Sequence, residues 1–418
     1  MSPTEGRRWL LVGAAALGLR VGAAVLTEFS PIFPSHYYHD AVLAESLGAE
    51  MAGSWREGRI HASRYAPPHR IHAAFIAAVY IPFGRRPLAA KIVNALIGSA
   101  SVLLIGFAAA AATTPAAGLA AAAAVAVWPS HVFYTSQNFK ESPSLALLFG
   151  ALALAASMLS REDDGRTGAA KAAGFVALSV GAGLFRSYVL VVLCAAAFFA
   201  AALKARRSSS ARMLLAAVLA APFAYKACSR AVLRHAIPAV EYAKDNAEAN
   251  FLSVARDENG LARKPSFSPA EISEFRRGRQ ESDRRYAREK GGREIATQIY
   301  PDAVFKSWGD IVLFLPKAAF AVLFMPLPGL YPMDGRIGRM LAAAENVILL
   351  LAFVAALSRG PRALGAPAAL LLAAFFAAMT AGSALLEFDL GSASRHKLQY
   401  FPAILPFAAE AILRRRRS

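Results

Sequence analysis

The fold is decided by the apolar run WLLVGAAALGLRVGAAVL, Trp9 to Leu26, which is soon followed by Tyr37-Tyr38-His39-Asp40. A run of this length and hydropathy predicts a helix that crosses a membrane. It delivers two phenols, an imidazole and a carboxylate to the far side, ahead of the periodic stretch Ala41 to Trp55. His39 and Asp40 could cap a surface helix, since Asp is a favoured N-cap, or begin a polar site. This stretch alone leaves both alternatives open.

The whole chain is apolar and basic. Its 418 residues are 56% hydrophobic and 18% charged, with a mean hydropathy of +0.40, which is typical of polytopic membrane proteins. A net charge of +18 would indicate nucleic acid as the partner of a soluble protein. Here Lys and Arg gather at the ends of apolar runs and hold them on the cytoplasmic side, so no nucleic-acid partner is expected. Only Cys194 and Cys228 occur, which excludes a disulfide framework and a Cys-based metal site.

Twelve apolar runs are candidates for membrane helices. They are Trp9–Leu26, Ile71–Phe83, Leu88–Ala111, Ala117–Trp128, Ser144–Leu159, Ala172–Phe185, Tyr188–Leu203, Met213–Ala227, Ile311–Leu330, Leu341–Leu357, Ala363–Leu386 and Tyr400–Leu413. A full span needs ~20 residues, so several of these runs are marginal.

Basic turns and prolines select among these runs. Arginines flank both ends of the chain, and basic turns at Lys204–Arg212 and Arg359–Arg362 are also expected to be cytoplasmic. All of these turns lie on the cytoplasmic side only if Ile71–Phe83 and Ile311–Leu330 do not cross the membrane. Prolines in or beside both runs remove backbone donors that a lipid-exposed helix requires. We therefore predict an all-α polytopic membrane protein with about ten transmembrane helices plus re-entrant or interfacial helices.

This topology divides the chain into three regions. Residues 1–228 form an N-terminal membrane module, whose first outer loop (27–87) is expected to be catalytic. Residues 229–307 are polar and contain a helix start at Ser268-Pro269-Ala270-Glu271, a capping box with proline at the first helical position. We expect an extracytoplasmic helical subdomain there, followed by a C-terminal membrane module at 308–418. The protein is expected to be a multi-pass protein of the cell (inner) membrane with both termini cytoplasmic.

Two polar features lie where plain connectors would suffice. The insert from Trp128 to Pro143 contains Lys140-Glu141, although a connector needs only a few turn residues. Either Lys140 and Glu141 form a neutralised pair at the headgroup level, or Glu141 enters the same outer cavity as Asp40. Arg186 lies between two apolar runs, and an unpaired charge at membrane depth is costly. It is either functional or a snorkelling side chain.

Two outer clusters carry cations that topology does not explain. One is Arg395-His396-Lys397, and the other comprises Arg64, His69 and Arg70. Both suit a phosphate at the membrane surface, with non-catalytic binding of a lipid headgroup as the alternative. The chain has no Walker loop, dinucleotide fingerprint, zinc-protease motif or nucleophile elbow.

These features together resemble the GT-C membrane glycosyltransferases. The resemblance rests on the acid after the first span and on several stretches: Arg64-Tyr65-Ala66-Pro67-Pro68 leading into Ala74–Gly84, Leu88–Gly98, Trp128–Glu141, Gly181–Arg186, and Gly391–Lys397 before a final helix. It is greatest with the bacterial branch related to dolichyl-phosphate-mannose protein mannosyltransferases and lipid A aminoarabinose transferases. It covers most of the chain apart from Ser229–Ser307.

The resemblance implies a sugar donor linked to a polyprenyl phosphate or diphosphate, with transfer on the extracytoplasmic face beside membrane lipid. It implies catalytic roles for Asp40 and Glu141. Substrate or phosphate binding is expected from His39, Arg64, His69, Arg70, Lys140, Arg186, Arg395, His396 and Lys397. Two departures concern Ala41, where many members carry a second acid, and Ala66, where many carry a charge. They leave the cofactor open, with a divalent cation near Asp40 and Glu141 as one alternative.

Three functions are consistent with this pattern. The first is an inverting glycosyltransferase in which Asp40 acts as general base or orients the acceptor, and basic groups such as Arg395 and Lys397 stabilise the leaving phosphate. The second is a non-enzymatic transporter or flippase for lipid-linked substrates, although transporters usually bind near the midplane between repeated halves. The third is a structural subunit whose loop at 229–307 binds a partner. The enzyme requires Asp40, Glu141 and the Arg395–Lys397 cluster to surround one outer cavity.

Overall fold

The computed structural model describes residues 3–30, 35–63, 65, 67–238, 255–256, 262–263, 268–289, 297–331 and 337–415. Its helices are α1 (Pro3–Phe29), α2 (His39–Arg56), α3 (Pro67–Phe83), α4 (Pro87–Ala112), α5 (Pro115–Val127), α6 (Pro129–Ser136), α7 (Glu141–Ser160), α8 (Gly165–Phe185), α9 (Ser187–Lys204), α10 (Ser209–Ala231), α11 (Pro269–Glu289), α12 (Trp308–Phe324), α13 (Ile337–Leu357), α14 (Pro367–Leu386), α15 (Leu390–Tyr400) and α16 (Leu405–Arg415). Single helical turns lie at Ser35–Tyr38, Ala205–Arg207, Val232–Ala236, Pro361–Leu364 and Phe401–Ala403. Two-residue strands β1 (Ala255–Arg256) and β2 (Ala262–Arg263) pair antiparallel.

The predicted polytopic helical fold is confirmed. Among the described residues, eight helices are long and apolar enough to cross a membrane, and α5 with α6, which meet at a 65° bend, would make a ninth. The 17-residue helices α3 and α12 are not among them, and each contains a proline. The sequence predicted about ten spans, and the predicted span that is missing from this set is Tyr400–Leu413. There a 3₁₀ turn at Phe401–Ala403 leaves α16 with only 11 residues.

Local sequence explains where the membrane helices start. Proline occupies the first turn of α4, α5, α6 and α14, where the missing N–H would be unpaired anyway. Side-chain oxygens also cap the starts of α5, α8 and α10. Thr114 accepts from Ala117 N at 3.2 Å, Asp164 caps α8, and Ser208 caps α10. The connections between these spans are therefore short and the neighbouring helices run antiparallel.

The core of the bundle is built on small residues. At Gly106 of α4, an added Cβ would lie 2.7 Å from Ala122 and 2.8 Å from the ring of Trp9. At Gly118 of α5, it would lie 2.7 Å from the carbonyl oxygen of Gly106. Such close backbone approach is how helices gain packing energy where lipid supplies no hydrophobic drive. The alanine-rich composition thus allows α1, α4 and α5 to pack tightly.

Contacts at the two ends of α7 fix where the polar groups lie in the bundle. Glu141 begins the helix, whereas Lys204 donates to the carbonyl of Leu159 at 2.9 Å near its other end. Arg359, which follows α13, forms an ion pair with Glu410 of α16 at 3.3 Å. The turn between α9 and α10 therefore lies at the end of the bundle opposite Glu141.

The described part of residues 229–307 docks onto the loop before α15. Helix α11 begins at Pro269 as the capping pattern predicts, with Glu271 N donating to Ser268 Oγ at 3.2 Å. The buried Arg276 donates to the carbonyls of Leu385 and Glu387 at 2.8 and 3.0 Å. It also donates to the carbonyls of Ile299 and Tyr300. One guanidinium thus joins two carbonyls of this segment to two carbonyls of the stretch that leads into α15.

Candidate functional site

Three charged side chains from distant parts of the sequence meet at one end of the bundle. Arg395 Nη1 donates to Asp40 Oδ2 at 2.5 Å. The same guanidinium donates to Glu141 Oε1 from Nη2 at 3.2 Å and from Nε at 3.3 Å. The Asp40 side chain is 39% exposed, whereas that of Glu141 is 1% exposed. The Asp40 carboxylate is therefore partly exposed, and the buried Glu141 carboxylate supports it from within the protein.

A second arginine extends this cluster. Arg186 Nη2 donates to Glu141 Oε1 at 2.7 Å, and its Nη1 donates to Tyr188 and contacts His396 Nε2. His396 Nδ1 in turn pairs with Glu387. The imidazole can satisfy both contacts in one tautomer, with Nδ1–H donating to the carboxylate and Nε2 accepting from Arg186. Burial outweighs the pull of Glu387 and lowers the pKa of His396, in agreement with a neutral ring.

Aromatic rings hold Arg395 from the side. Its guanidinium carbon lies 5.6 Å from the ring centroid of Tyr134 and 5.1 Å from that of Phe139. Both rings belong to the polar and aromatic insert between α5 and α7. A guanidinium over aromatic faces gains cation–π attraction and needs less hydration than an ammonium. The insert is thus the wall of the site as well as the source of Lys140 and Glu141.

Helix ends supply most of the charged groups. Asp40 lies in the first turn of α2 and Glu141 is the first residue of α7, where carboxylates are favoured by the helix dipole. Arg186 lies at the break between α8 and α9. Arg395 projects from α15, whose N-cap Asp389 accepts from Ser392 N at 2.9 Å. Helices or their ends therefore fix the position of each of these four groups.

The field of the cluster shifts the pKa of groups around the cavity. Burial opposes the ionisation of Asp40, but Arg395 and Lys140 hold its pKa below the usual value. Burial, reinforced by Arg186, lowers the pKa of Lys140 to about 7. Burial and Lys140 lower the pKa of His69 to about 4. Near neutral pH the cavity thus presents a carboxylate, a neutral imidazole and a half-protonated amine.

Lys140 and His69 are the cavity's uncommitted polar groups. Neither side chain makes a hydrogen bond or ion pair with the residues that the structure describes. Both nevertheless lie within the electrostatic reach of Asp40 and Arg395. A polar ligand that enters this cavity therefore meets an available ammonium and an available imidazole.

Other candidate residues lie elsewhere. Lys397 is buried and donates to Asn346 Oδ1 at 2.5 Å and to the carbonyl of Leu323 at 3.2 Å, which anchors α15 on α12 and α13. Arg70 is buried and donates to the carbonyl of Ile237 at 2.5 Å. His39 is exposed at the start of α2. Arg64 lies outside the described residues.

The carboxylates do not form a metal site as they are arranged. Within the described ranges, no three His, Cys, Asp or Glu side chains are grouped so that they could hold a metal ion. Asp40 Oδ2 and Glu141 Oε1 both accept from Arg395, and Glu141 Oε2 is buried away from solvent without a partner. Mg²⁺ and Ca²⁺ bind through carboxylate oxygens that face the ion, and in this arrangement the facing oxygens of the pair already accept from Arg395.

Arg20, which is fully buried in α1, was not among the predicted site residues. Its Nε donates to Thr135 Oγ1 at 2.8 Å, and its Nη2 contacts His131 Nδ1 at 2.8 Å. The guanidinium also donates to the carbonyl of Ala126 at 3.2 Å. An arginine in the middle of the first apolar run was the available signal, because such a charge requires partners.

His72 was also missed. It is 4% exposed on α3, it interacts electrostatically with Glu141, and its Nε2 has no hydrogen-bond partner. Its place within an apolar helix gave no hint of this, since only the packing of α3 brings it toward α7.

No protein-family model matches the chain, and no curated protein matches it. Among solved structures, the chain is similar to the oligosaccharyltransferase of Archaeoglobus fulgidus, crystallised with a tethered acceptor peptide that contains the NVT sequon. The superposition has a TM-score of 0.51 with 14% sequence identity, and it covers 98% of this chain and 50% of that one. The chain thus spans about half the length of the protein it matches. The likeness shows the fold, and the chain therefore has a GT-C-like membrane fold.

Proposed function

We propose that the chain is a glycosyltransferase that moves a sugar from a polyprenyl phosphate or diphosphate to an acceptor on the extracytoplasmic face of the cell (inner) membrane. The observation that carries this proposal is the meeting of Asp40, Glu141 and Arg395 on a GT-C-like bundle, beside the available Lys140. The resemblance to the bacterial branch related to protein mannosyltransferases and aminoarabinose transferases supports the same donor class. Both termini would be cytoplasmic.

Asp40 is the group that we assign to the acceptor. It is the exposed carboxylate of the pair, so an acceptor hydroxyl can approach its free Oδ1. Its lowered pKa keeps it ionised at neutral pH but also makes it a weak base. We infer that it orients the hydroxyl and takes its proton late, as the acceptor oxygen bonds to the sugar and the sugar–phosphate bond breaks. The bonding electrons leave with the lipid phosphate.

Lys140 is the group that we assign to the leaving phosphate. Arg186 and Arg395 are already committed to Glu141, whereas the Lys140 ammonium has no protein partner in the described part of the chain. An anionic phosphate would favour the charged form of a lysine whose pKa lies at about 7, so binding and charge stabilisation would coincide. His69 lines the same cavity and could contact the phosphate or the sugar as a neutral imidazole.

The position of the polar groups supports the assigned membrane face. The site lies at the end of α7 that is opposite the basic turn of Lys204–Arg212. Basic turns favour the cytoplasm, so the site would face outward, where polyprenyl-linked sugars are used by enzymes of the resembled family. A lipid-linked donor also fits a charged cluster at the end of a membrane bundle.

The test compares lipid extracts from a strain that lacks the gene with extracts from strains complemented by the wild type, Asp40→Asn or Asp302→Asn. Asp302 is exposed and outside the cluster, so it serves as the matched control. We expect a lipid-linked sugar to accumulate without the gene and with Asp40→Asn, but not with Asp302→Asn. Loss of a general base slows transfer by about 10²–10⁴-fold.

The accumulated lipid then serves as the substrate for purified protein. Release of free polyprenyl phosphate by the wild type supports the transferase. Near-normal release by an intact Asp40→Asn variant would refute the role of Asp40. A wild-type protein that leaves the lipid intact while moving it between leaflets would favour the transporter instead.

A further inference from the structure

Arg395 lies between Asp40 and Glu141, at the position that a divalent cation shared by the two carboxylates would take. Its guanidinium joins Asp40 and Glu141 through contacts of 2.5, 3.2 and 3.3 Å. Two carboxylates brought this close repel each other unless a cation lies between them. In this chain the cation is a side chain, covalently attached to α15.

The oxygen atoms of the pair leave little for an ion. Glu141 Oε1 accepts from three N–H groups, one on Arg186 and two on Arg395. Glu141 Oε2 is buried out of contact with solvent. Asp40 Oδ2 accepts a hydrogen bond from Arg395 as well. Of the four carboxylate oxygens described here, Asp40 Oδ1 is thus the one that is neither bonded to an arginine nor buried. An ion shared by the two carboxylates would have to displace the guanidinium from both of them.

The surroundings are suited to a guanidinium. Arg395 lies against the rings of Tyr134 and Phe139, and its side chain is 20% exposed. Aromatic faces attract a flat, weakly hydrated cation but supply no oxygen ligands for a metal. The planar fork of donors matches two carboxylates placed on different sides, which a spherical ion does not require.

We propose that Arg395 takes the place of a divalent cation: it holds Asp40 and Glu141 together and neutralises them, so the site binds no metal ion and sugar transfer needs none. The part that concerns transfer rests on the proposed function, whereas the part that concerns cation binding does not. A fixed arginine also leaves the charge of the cavity independent of the metal content of the medium.

The first experiment measures Mn²⁺ binding to the purified chain by electron paramagnetic resonance of the free ion. We expect the wild type and Asp40→Asn to give the same binding, with no site that depends on Asp40. We expect Arg395→Met to gain one Mn²⁺ per chain and the double variant Arg395→Met/Asp40→Asn to lose it again. Arg395→Lys keeps a cation and should gain none. Arg59→Met, which removes an exposed arginine, controls for the change in net charge.

Two outcomes would overturn the proposal. One is a wild-type protein that binds one Mn²⁺ and loses it in Asp40→Asn, a comparison that does not depend on how well Arg395→Met folds. The other is a monodisperse Arg395→Met variant that binds no Mn²⁺, since Arg395 would then replace nothing. Transfer by the wild type should be unchanged in EDTA, and a loss that Mn²⁺ restores would contradict the proposal. A chain that transfers no sugar refutes the proposed function and leaves the Mn²⁺ comparison decisive for this inference.

Discussion

Replacing Arg20 by Met should loosen α6, the helix that leads into the site. The reason lies in the bend at Trp128-Pro129. The carbonyl of Val125 would normally accept from residue 129, which is a proline without an N–H. The carbonyl of Ala126 would normally accept from Ser130 N, which instead donates to Glu345 at 3.0 Å.

Arg20 supplies the missing donors, at 3.5 and 3.2 Å to these two carbonyls, and it also contacts His131. In Arg20→Met the acceptors on Val125, Ala126, His131 and Thr135 lose a donor, at about 1–3 kcal/mol each. The substitution also removes the free-energy cost of burying an arginine in apolar surroundings, and this offsets part of the loss. We therefore expect a value slightly below the low end of the sum, about 3 kcal/mol, equivalent to roughly 100-fold in the opening equilibrium.

Hydrogen exchange in nanodiscs measures this opening directly. Amides of α6 (Pro129–Ser136) should exchange roughly 100-fold faster in Arg20→Met, while those of α8 remain unchanged. Arg8→Met, which removes an exposed arginine of the same helix, should have no effect on α6. Unchanged α6 exchange in a well-folded Arg20→Met variant would refute the proposed role of Arg20 as the donor for the broken helix.

Three further predictions follow from the same contacts. Because the pKa of Lys140 is about 7, its ammonium is lost as pH rises through that value, so donor affinity should fall by up to about tenfold per pH unit above it. KM against pH tests this, and Lys140→Arg should remove the dependence. Asp389→Ala deletes the N-cap of α15 and should cost about 0.5–2 kcal/mol, seen as a lower melting temperature with unchanged melting in the exposed-site control Asp302→Asn. Gly98→Ala places a Cβ 2.5 Å from Thr135 Cβ and should destabilise the protein by about 1–3 kcal/mol in denaturant titrations, against no loss in Gly22→Ala, which has open space.

Much of the fold could be predicted because membrane helices can be recognised from their local sequence. Apolar length, flanking arginines and proline positions identified the candidate spans apart from Tyr400–Leu413, which forms only a short helix, and they marked α3 and α12 as exceptions. The bend between α5 and α6 was less visible, since Pro129 alone does not say whether a helix stops or turns. Its 65° angle is stabilised by Arg20 from α1, a contact between residues more than a hundred positions apart.

The division between what the sequence determined and what the tertiary structure decided is clearest at the site. Local chemistry singled out Asp40, Glu141, Arg186 and Arg395, because charges near membrane helices are costly and need a reason. Their partners were not determined locally. Only packing places one arginine between two carboxylates that are 101 residues apart, and only packing turns Lys397 toward Asn346 and leaves Lys140 available. The sequence determines the type of each side chain, but which charges neutralise one another depends on distances that are set only when the helices pack.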